Sequence, residues 1–289
     1  MTRAVLLGTN AWPFIIRYWL ENLKSWQHKV ERVYIAVDNT TKPEYLIYLR
    51  KRVEGNGKVV LLENCQGWPA SYVDAFKAST EDLILIMHDD CFINDPGMLD
   101  TYFEMAAQGK VMTPLWGCYS PKEAVEEMLR NLAPGVFPLK LKEKVGGAGG
   151  WEGYAFILFM VFISRENMNK TTLNFNGWDN PNYENDHMAG DTGFVFEMDL
   201  LKQGVEIQPI PLFEGYMPMV GPYMHLGGMG TSLPFSVDEN KTYGPNWSKE
   251  ATTIKLNWLD KFLAINDYDD IKSYYDKARA WSLKTRALL

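Results

Sequence analysis

Cysteine and clustered positive charge are scarce in this sequence. The three cysteines, Cys65, Cys91 and Cys118, share no close spacing, which argues against a disulfide framework and a zinc site and favours a reducing, cytoplasmic setting. The net charge is −7, and no run of Lys or Arg provides a local basic patch. The sequence therefore does not indicate binding to a nucleic-acid backbone or to an anionic membrane.

Long hydrophobic segments are also missing. The longest apolar window runs from Ala155 to Ile163 and contains nine residues, too few to span a bilayer. Its length and composition predict one buried strand. The apolar segment at residues 4–7 is too short for a signal peptide. From these features we expect a cytoplasmic protein without a membrane span.

Two kinds of glycine-rich phosphate loop are absent. No GxGxxG pattern follows the first predicted strand, and the glycine-rich segment 146–153 is not followed by Lys-Ser or Lys-Thr. The first absence argues against a dinucleotide-binding protein, and the second against a P-loop enzyme. The segment 146–153 is instead expected to be mobile or to lie close to a ligand.

What the sequence does contain is a regular alternation of strand and helix patterns over its first ninety residues, which is typical of a parallel sheet. Apolar residues at three- and four-residue spacing predict a helix from Pro13 to Trp26, and another is predicted from Pro69 to Ala78. We expect a domain over 1–240, with halves 1–100 and 101–240, and a helical extension over 241–289. The predicted strands are centred on residues 5–7, 33–37, 59–62 and 83–87.

Two adjacent carboxylates, Asp89 and Asp90, follow the most apolar of these strands. In open α/β sheets, ligands bind at the carboxyl ends of the strands, and paired oxygens there suit a divalent cation that carries phosphates. The alternative is that the two residues only solubilise the end of the strand and begin a turn.

The order of four features resembles the GT-A glycosyltransferases of family 2, over residues 3–232. These are an acid ending the second strand, the acid pair ending the fourth, a later acidic cluster, and a histidine in the segment His225-Leu226-Gly227-Gly228. The resemblance implies an α/β fold with a mixed, mostly parallel Rossmann-like sheet flanked by helices, and a C-terminal helical appendage. It also implies a metal-dependent transferase that moves a sugar from a nucleotide diphosphate to an acceptor hydroxyl, with inversion.

The resemblance also implies roles for individual residues. Asp191 would be the general base, and Asp90 and His225 would hold Mn²⁺ or Mg²⁺. Nucleotide and donor binding, with a UDP-sugar favoured, would fall to Thr9, Asn10, Asp38, Asn64, Gly67, His88 and Asp89. Acceptor binding would involve Trp151, Glu184 and Asp186. The acceptor could be a polysaccharide, a lipid-linked glycan, a protein or a modified nucleic-acid base.

Several alternatives stay open beside this interpretation. His88 stands where the family often has its first acid, and Gly190 replaces the Glu that usually precedes Asp191. Asp191 could be a helix cap and His225 a structural histidine, while Trp151 could stack on a sugar or anchor a loop. A retaining transferase, or an inactive protein that binds nucleotide sugars, is compatible with the same pattern. A nucleotidyltransferase is disfavoured, because segment 8–11 lacks the expected glycines and basic residues.

Overall fold

The secondary structure follows the predicted alternation of strands and helices. The computed structural model describes residues 1–11, 13–67, 69–120, 151–156, 160–175, 193–210, 219–220, 223–225, 253, 256–257, 259–261, 263–264 and 272–287. The strands are β1 Arg3–Thr9, β2 Arg32–Asp38, β3 Val59–Cys65, β4 Leu83–His88, β5 Cys91–Ile93, β6 Val111–Ser120, β7 Trp151–Phe156, β8 Met160–Ser164, β9 Ile207–Ile210, β10 Met219–Val220 and β11 Tyr223–His225. The helices are α1 Pro13–Trp26, α2 Pro43–Val53, α3 Ser71–Ala78, α4 Gly97–Ala107, α5 Arg165–Met168, α6 Phe194–Lys202 and α7 Lys272–Arg286.

Within the described residues, eight strands form one large sheet. Its order is β3-β2-β1-β4-β8-β6-β7, and β9 also pairs with β6. The first four strands are parallel, β8 runs antiparallel between β4 and β6, and β9 is parallel to β6. The predicted fold class is therefore confirmed: the protein has a mixed, mostly parallel α/β sheet flanked by helices.

The central strand β1 separates two hydrophobic layers. Successive side chains of a strand point to opposite faces of the sheet, so Val5 and Leu7 belong to one layer and Ala4 and Leu6 to the other. The first layer includes α1, α2 and α4. The second layer includes α3 and α6. Strands buried on both faces explain the unbroken apolar runs in the sequence.

Gly8, near the end of β1, allows helix α3 to pack closely against the sheet. A Cβ atom at this position would lie 3.0 Å from the ring of Tyr72 and 3.1 Å from Oγ of Ser71. Both side chains are buried, and the Tyr72 hydroxyl donates a hydrogen bond to the carbonyl of Met87 in β4 (3.2 Å). The absence of a side chain at Gly8 therefore brings α3 to the carboxyl edge of the sheet.

The apolar window 155–163, predicted as one strand, spans the end of one described strand and the start of the next, and residues 157–159 between them lie outside the described residues. Strand β7 ends at Phe156 and β8 begins at Met160, and both strands pair with β6. A continuous apolar run does not reveal where one buried strand ends and the next begins. One helix boundary also differs, because α3 begins at Ser71 and not at Pro69. No described helix is long and apolar enough to cross a membrane. The division at residue 240 stays a prediction.

We predict that Gly8→Ala lowers the free energy of unfolding by about 1–3 kcal/mol, because the added methyl group must displace the packed ring of Tyr72. Chemical denaturation of the purified variant measures this change. Gly57→Ala is the matched control, since no atom lies within 4 Å of a Cβ there. An effect at Gly8 no larger than at Gly57 would contradict the close packing.

Candidate active site

The two carboxylates lie where the chain passes from one sheet to another. Strand β4 of the large sheet ends at His88, and β5 of a smaller sheet, ordered β10-β11-β5, begins at Cys91. Asp89 and Asp90 are the two residues between these strands. Asp90 is only 4% exposed, and Asp89 is half-buried. The acid pair is thus fixed by pairing on both sides and placed at the carboxyl end of a parallel strand.

The side chain of Asp89 is oriented by β1. The Thr9 hydroxyl donates a hydrogen bond to Oδ2 of Asp89 (2.5 Å) and accepts one from the backbone N–H of Ala11 (2.8 Å). Ala11 has a positive φ of 55°, which turns the chain sharply after β1. Burial and the neighbouring charge of Asp90 raise the pKa of Asp89 to about 7. A nearby cation would favour its ionised form.

His88 faces the opposite side of the sheet from Asp89. It pairs in register with Gly8, and its imidazole lies parallel to the ring of Tyr72 with centroids 6.2 Å apart. Its Nδ1 is 4.0 Å from Oδ1 of Asp90. The position where the resembled family often has an acid is therefore occupied by a ring stacked on α3. Tyr72 was not predicted from the sequence, where its only signal was an aromatic residue near the start of a helix.

Backbone pairing brings His225 next to the acid pair. In the small sheet, His225 pairs with Cys91, Met224 with Phe92 and Tyr223 with Ile93, all antiparallel. Directly opposite residues of an antiparallel pair have Cα atoms about 4.5–5.5 Å apart. Since Cys91 follows Asp90 directly, the two predicted metal ligands lie on neighbouring backbone positions although 135 residues separate them in sequence.

The chemistry of these residues fits a hard divalent cation. Carboxylate oxygens are preferred ligands of Mg²⁺ and Mn²⁺, which commonly keep water and phosphate oxygens in their remaining positions. The side chains in the described ranges include no group of three His, Cys, Asp or Glu residues placed to hold a metal. Asp89 and Asp90 supply carboxylate oxygens of the kind that such a cation takes as ligands.

The ends of β2 and β3 form a second part of the same edge. Asp38 accepts hydrogen bonds at Oδ1 from the backbone N–H and the hydroxyl of Thr40 (both 2.7 Å). The register shifts between β2 and β3 at this point, and Asn64 has a positive φ of 56°. A Cβ at Gly67 would lie 3.8 Å from Oδ2 of Asp38. The carboxylate of Asp38 therefore faces the turn at Gly67.

All seven predicted donor residues lie at or just beyond the carboxyl ends of β1–β4: Thr9, Asn10, Asp38, Asn64, Gly67, His88 and Asp89. Trp151 begins β7 and pairs with Ser120, the last residue of β6. Met112 of β6 and Leu85 of β4 both pair with Phe162 of β8, so these two residues stand at the same height along the sheet. Beyond these two residues, β6 continues for about five residues more than β4, which corresponds to about 16 Å at the usual rise per residue. Trp151 is therefore at the end of a ribbon that projects beyond the edge.

The predicted base Asp191 lies outside the described residues, as do Glu184 and Asp186. The described chain resumes at Gly193, whose backbone N–H donates to the carbonyl of Phe175 (2.7 Å) just before α6. The ring of Phe175 contacts that of Tyr72, with centroids 5.9 Å apart. A continuous set of contacts thus leads from His88 through Tyr72 and Phe175 to the start of α6.

Comparison with known proteins gives matches only at the level of structure. No protein-family model and no curated sequence matches the chain. The mannosyltransferase PcManGT of Pyrobaculum calidifontis, solved with GDP-Man and Mn²⁺, is similar at 12% identity and a TM-score of 0.47, covering 99% of this chain and 73% of that one. HddC of Yersinia pseudotuberculosis is similar at 14% identity and a TM-score of 0.41, covering 73% of this chain and 90% of that one.

A third structure with a similar fold is the 4-diphosphocytidyl-2C-methyl-D-erythritol synthase of Anaerococcus prevotii. Its identity is 7% and its TM-score 0.42, covering 72% of this chain and 88% of that one. At these values the fold assignment rests on the strand order described above. The function must be argued from the site.

We predict that Asp89→Asn raises the melting temperature of the metal-free protein more at pH 8 than at pH 4. Folding raises the pKa of Asp89 from 3.8 to about 7, so the folded state keeps a proton that the unfolded state releases in this window. The wild-type protein therefore loses stability as the pH rises from about 4 to 7, whereas the amide does not ionise.

Melting curves of both proteins across this pH range, with a chelator present, measure the difference. Asp95→Asn is the control, since Asp95 is an exposed residue nearby. An equal rise in melting temperature at pH 4 and pH 8 would contradict a raised pKa of Asp89 in the folded protein.

Proposed function

We propose that this protein is a metal-dependent glycosyltransferase that moves a sugar from a nucleotide diphosphate to an acceptor hydroxyl. The observation that carries the proposal is the pairing of His225 with Cys91, directly after Asp90. It gathers an imidazole-bearing residue and two carboxylates at the carboxyl edge of a parallel sheet, where phosphate-bearing ligands bind in this class of fold. The order of motifs along the chain supports the same function.

Asp90 and His225 would hold Mn²⁺ or Mg²⁺ in this proposal. The ion would neutralise the negative charge that develops on the diphosphate leaving group. Asp89, whose Oδ2 accepts the hydrogen bond from the Thr9 hydroxyl, would contact the donor sugar or the ion's water. The raised pKa of Asp89 is consistent with a carboxylate that is fully ionised only when positive charge is close.

Asp38, Asn64 and Gly67 would hold the nucleoside. Asp38 presents its second carboxylate oxygen toward the turn at Gly67, and a carboxylate there can accept hydrogen bonds from ribose hydroxyls or from a base N–H. Asn10 follows β1 at the same edge. A UDP-sugar is the donor that we propose to test first.

Asp191 would act as the general base. It would take the proton of the acceptor hydroxyl while that oxygen bonds to the anomeric carbon and the bond to the diphosphate oxygen breaks, with inversion. The contacts from His88 through Phe175 to Gly193 support this role, because they connect the start of α6 to the carboxyl edge of the sheet, where the proposed donor residues lie. Trp151, Glu184 and Asp186 would contribute to the acceptor site.

We predict that Asp90→Asn weakens Mn²⁺-dependent binding of a UDP-sugar at least about tenfold, since the amide keeps the shape of the side chain but loses its charge. Calorimetric titration with and without Mn²⁺, run over a panel of nucleotide sugars, measures this change. Asp95→Asn is the control and should bind like the wild type. Unchanged Mn²⁺-dependent binding by Asp90→Asn would refute the metal assignment.

We predict that Asp191→Asn lowers the turnover number by about 10²-fold or more, while donor affinity and melting temperature stay unchanged. Asn caps a helix about as well as Asp does, but it is not a general base. Transfer to an acceptor, and hydrolysis of the donor in its absence, measure turnover. Asp199→Asn, in α6, is the control. If Asp191→Asn keeps near-wild-type turnover, Asp191 is not the base, and Glu184 and Asp186 are tested next.

A further inference from the structure

Asn22, in the middle of α1, binds both backbone groups of a strand residue. Its Oδ1 accepts a hydrogen bond from the backbone N–H of Ile93 (2.9 Å), and its Nδ2 donates to the carbonyl of Ile93 (2.8 Å). The indole N–H of Trp26, one helical turn later, also donates to Oδ1 (2.9 Å). This third bond fixes which end of the amide faces which backbone group, because only the oxygen can accept from Trp26.

The amide of Asn22 therefore takes the place of a neighbouring strand. Ile93 ends β5, and one edge of β5 pairs with β11. The N–H and C=O of one strand residue point to the same side, and successive residues alternate. Since both groups of Ile93 bind Asn22, Phe92 is the residue of β5 whose backbone groups face β11. Helix α1 thus holds the free edge of a three-residue strand that is too short to be stable alone.

Strand β5 connects the two proposed metal ligands. Asp90 immediately precedes β5, and His225 pairs with Cys91, its first residue. A displacement of β5 would move Asp90 and the pairing partner of His225 together. Metal affinity depends on the neighbouring groups that hold the ligands in place. Removing such a group commonly lowers metal affinity about 10–100-fold.

We propose that Asn22 is a positioning residue that fixes β5, and through it the geometry of the divalent cation site at Asp90 and His225. The metal-binding consequence rests on the function proposed above, whereas the effect on β5 does not. In this proposal Asn22 acts through β5 and not on the substrate. One sign of this role is visible in the sequence, since Asn22 is a polar residue between Trp19 and Trp26 on the apolar face of α1.

The test compares Asn22→Asp with Asn167→Asp in the full-length protein. The Asn22 variant keeps an acceptor for Ile93 and Trp26 but places a carboxylate oxygen against the Ile93 carbonyl. Asn167 is a matched control, because its buried amide also donates to a backbone carbonyl, that of Gly109 (2.8 Å). Asn167 lies in α5, which follows the end of β8 opposite the acid pair. Binding of Mn²⁺ alone is measured by electron paramagnetic resonance, and exchange of backbone amides by NMR.

We expect Asn22→Asp to weaken Mn²⁺ binding at least about tenfold and to speed amide exchange at Ile93 and Phe92, while Asn167→Asp changes neither. Wild-type affinity and slow exchange in Asn22→Asp would overturn the proposal, as would an equal loss in Asn167→Asp. If the wild type binds no Mn²⁺, the proposed metal function fails, and amide exchange alone decides whether Asn22 fixes β5. If Asn22→Asp does not fold, Asn22→Ser is measured in its place against Asn167→Ser.

Discussion

The chain crosses from the large sheet to the small one within two residues, and the candidate site depends on this crossing. Asp89 and Asp90 are adjacent carboxylates, and burial together with the neighbouring charge of Asp90 opposes the ionisation of Asp89. They remain together because the backbone is held on both sides. Strand β4 is fixed by parallel pairing with β1, and β5 is fixed by β11 and by the amide of Asn22.

This arrangement has a cost in stability. A carboxyl group whose pKa is raised to about 7 by burial and a neighbouring charge destabilises the folded protein near neutral pH unless positive charge is supplied. A divalent cation would relieve the repulsion, and it would bind to ligands that are already in place. The bond from Thr9 to Asp89 contributes to this order by fixing one carboxylate oxygen.

The side chains of Asp89 and His88 make contacts on two different sides of the sheet. Asp89 shares a face with Thr9, Leu7 and the layer of α1, whereas His88 faces α3. The role of His88 in donor binding stays a prediction. His88 belongs to an aromatic cluster with Tyr72 and Phe175, and this cluster connects the carboxyl edge of the sheet to the start of α6. Gly8 makes the cluster possible, because any side chain there would meet Tyr72.

The sequence by itself determined the parallel half of the fold and the place of the acid pair. Four apolar runs ending in polar residues sufficed, because strands buried on both faces need apolar side chains throughout and their carboxyl ends share one edge. The same rule did not predict that the apolar window 155–163 contains parts of two strands, β7 and β8. Only the tertiary structure decided which distant residues meet at the crossing. The pairing of His225 with Cys91 and the hold of Asn22 on Ile93 are long-range contacts through backbone groups, and every residue except proline carries the same backbone donor and acceptor.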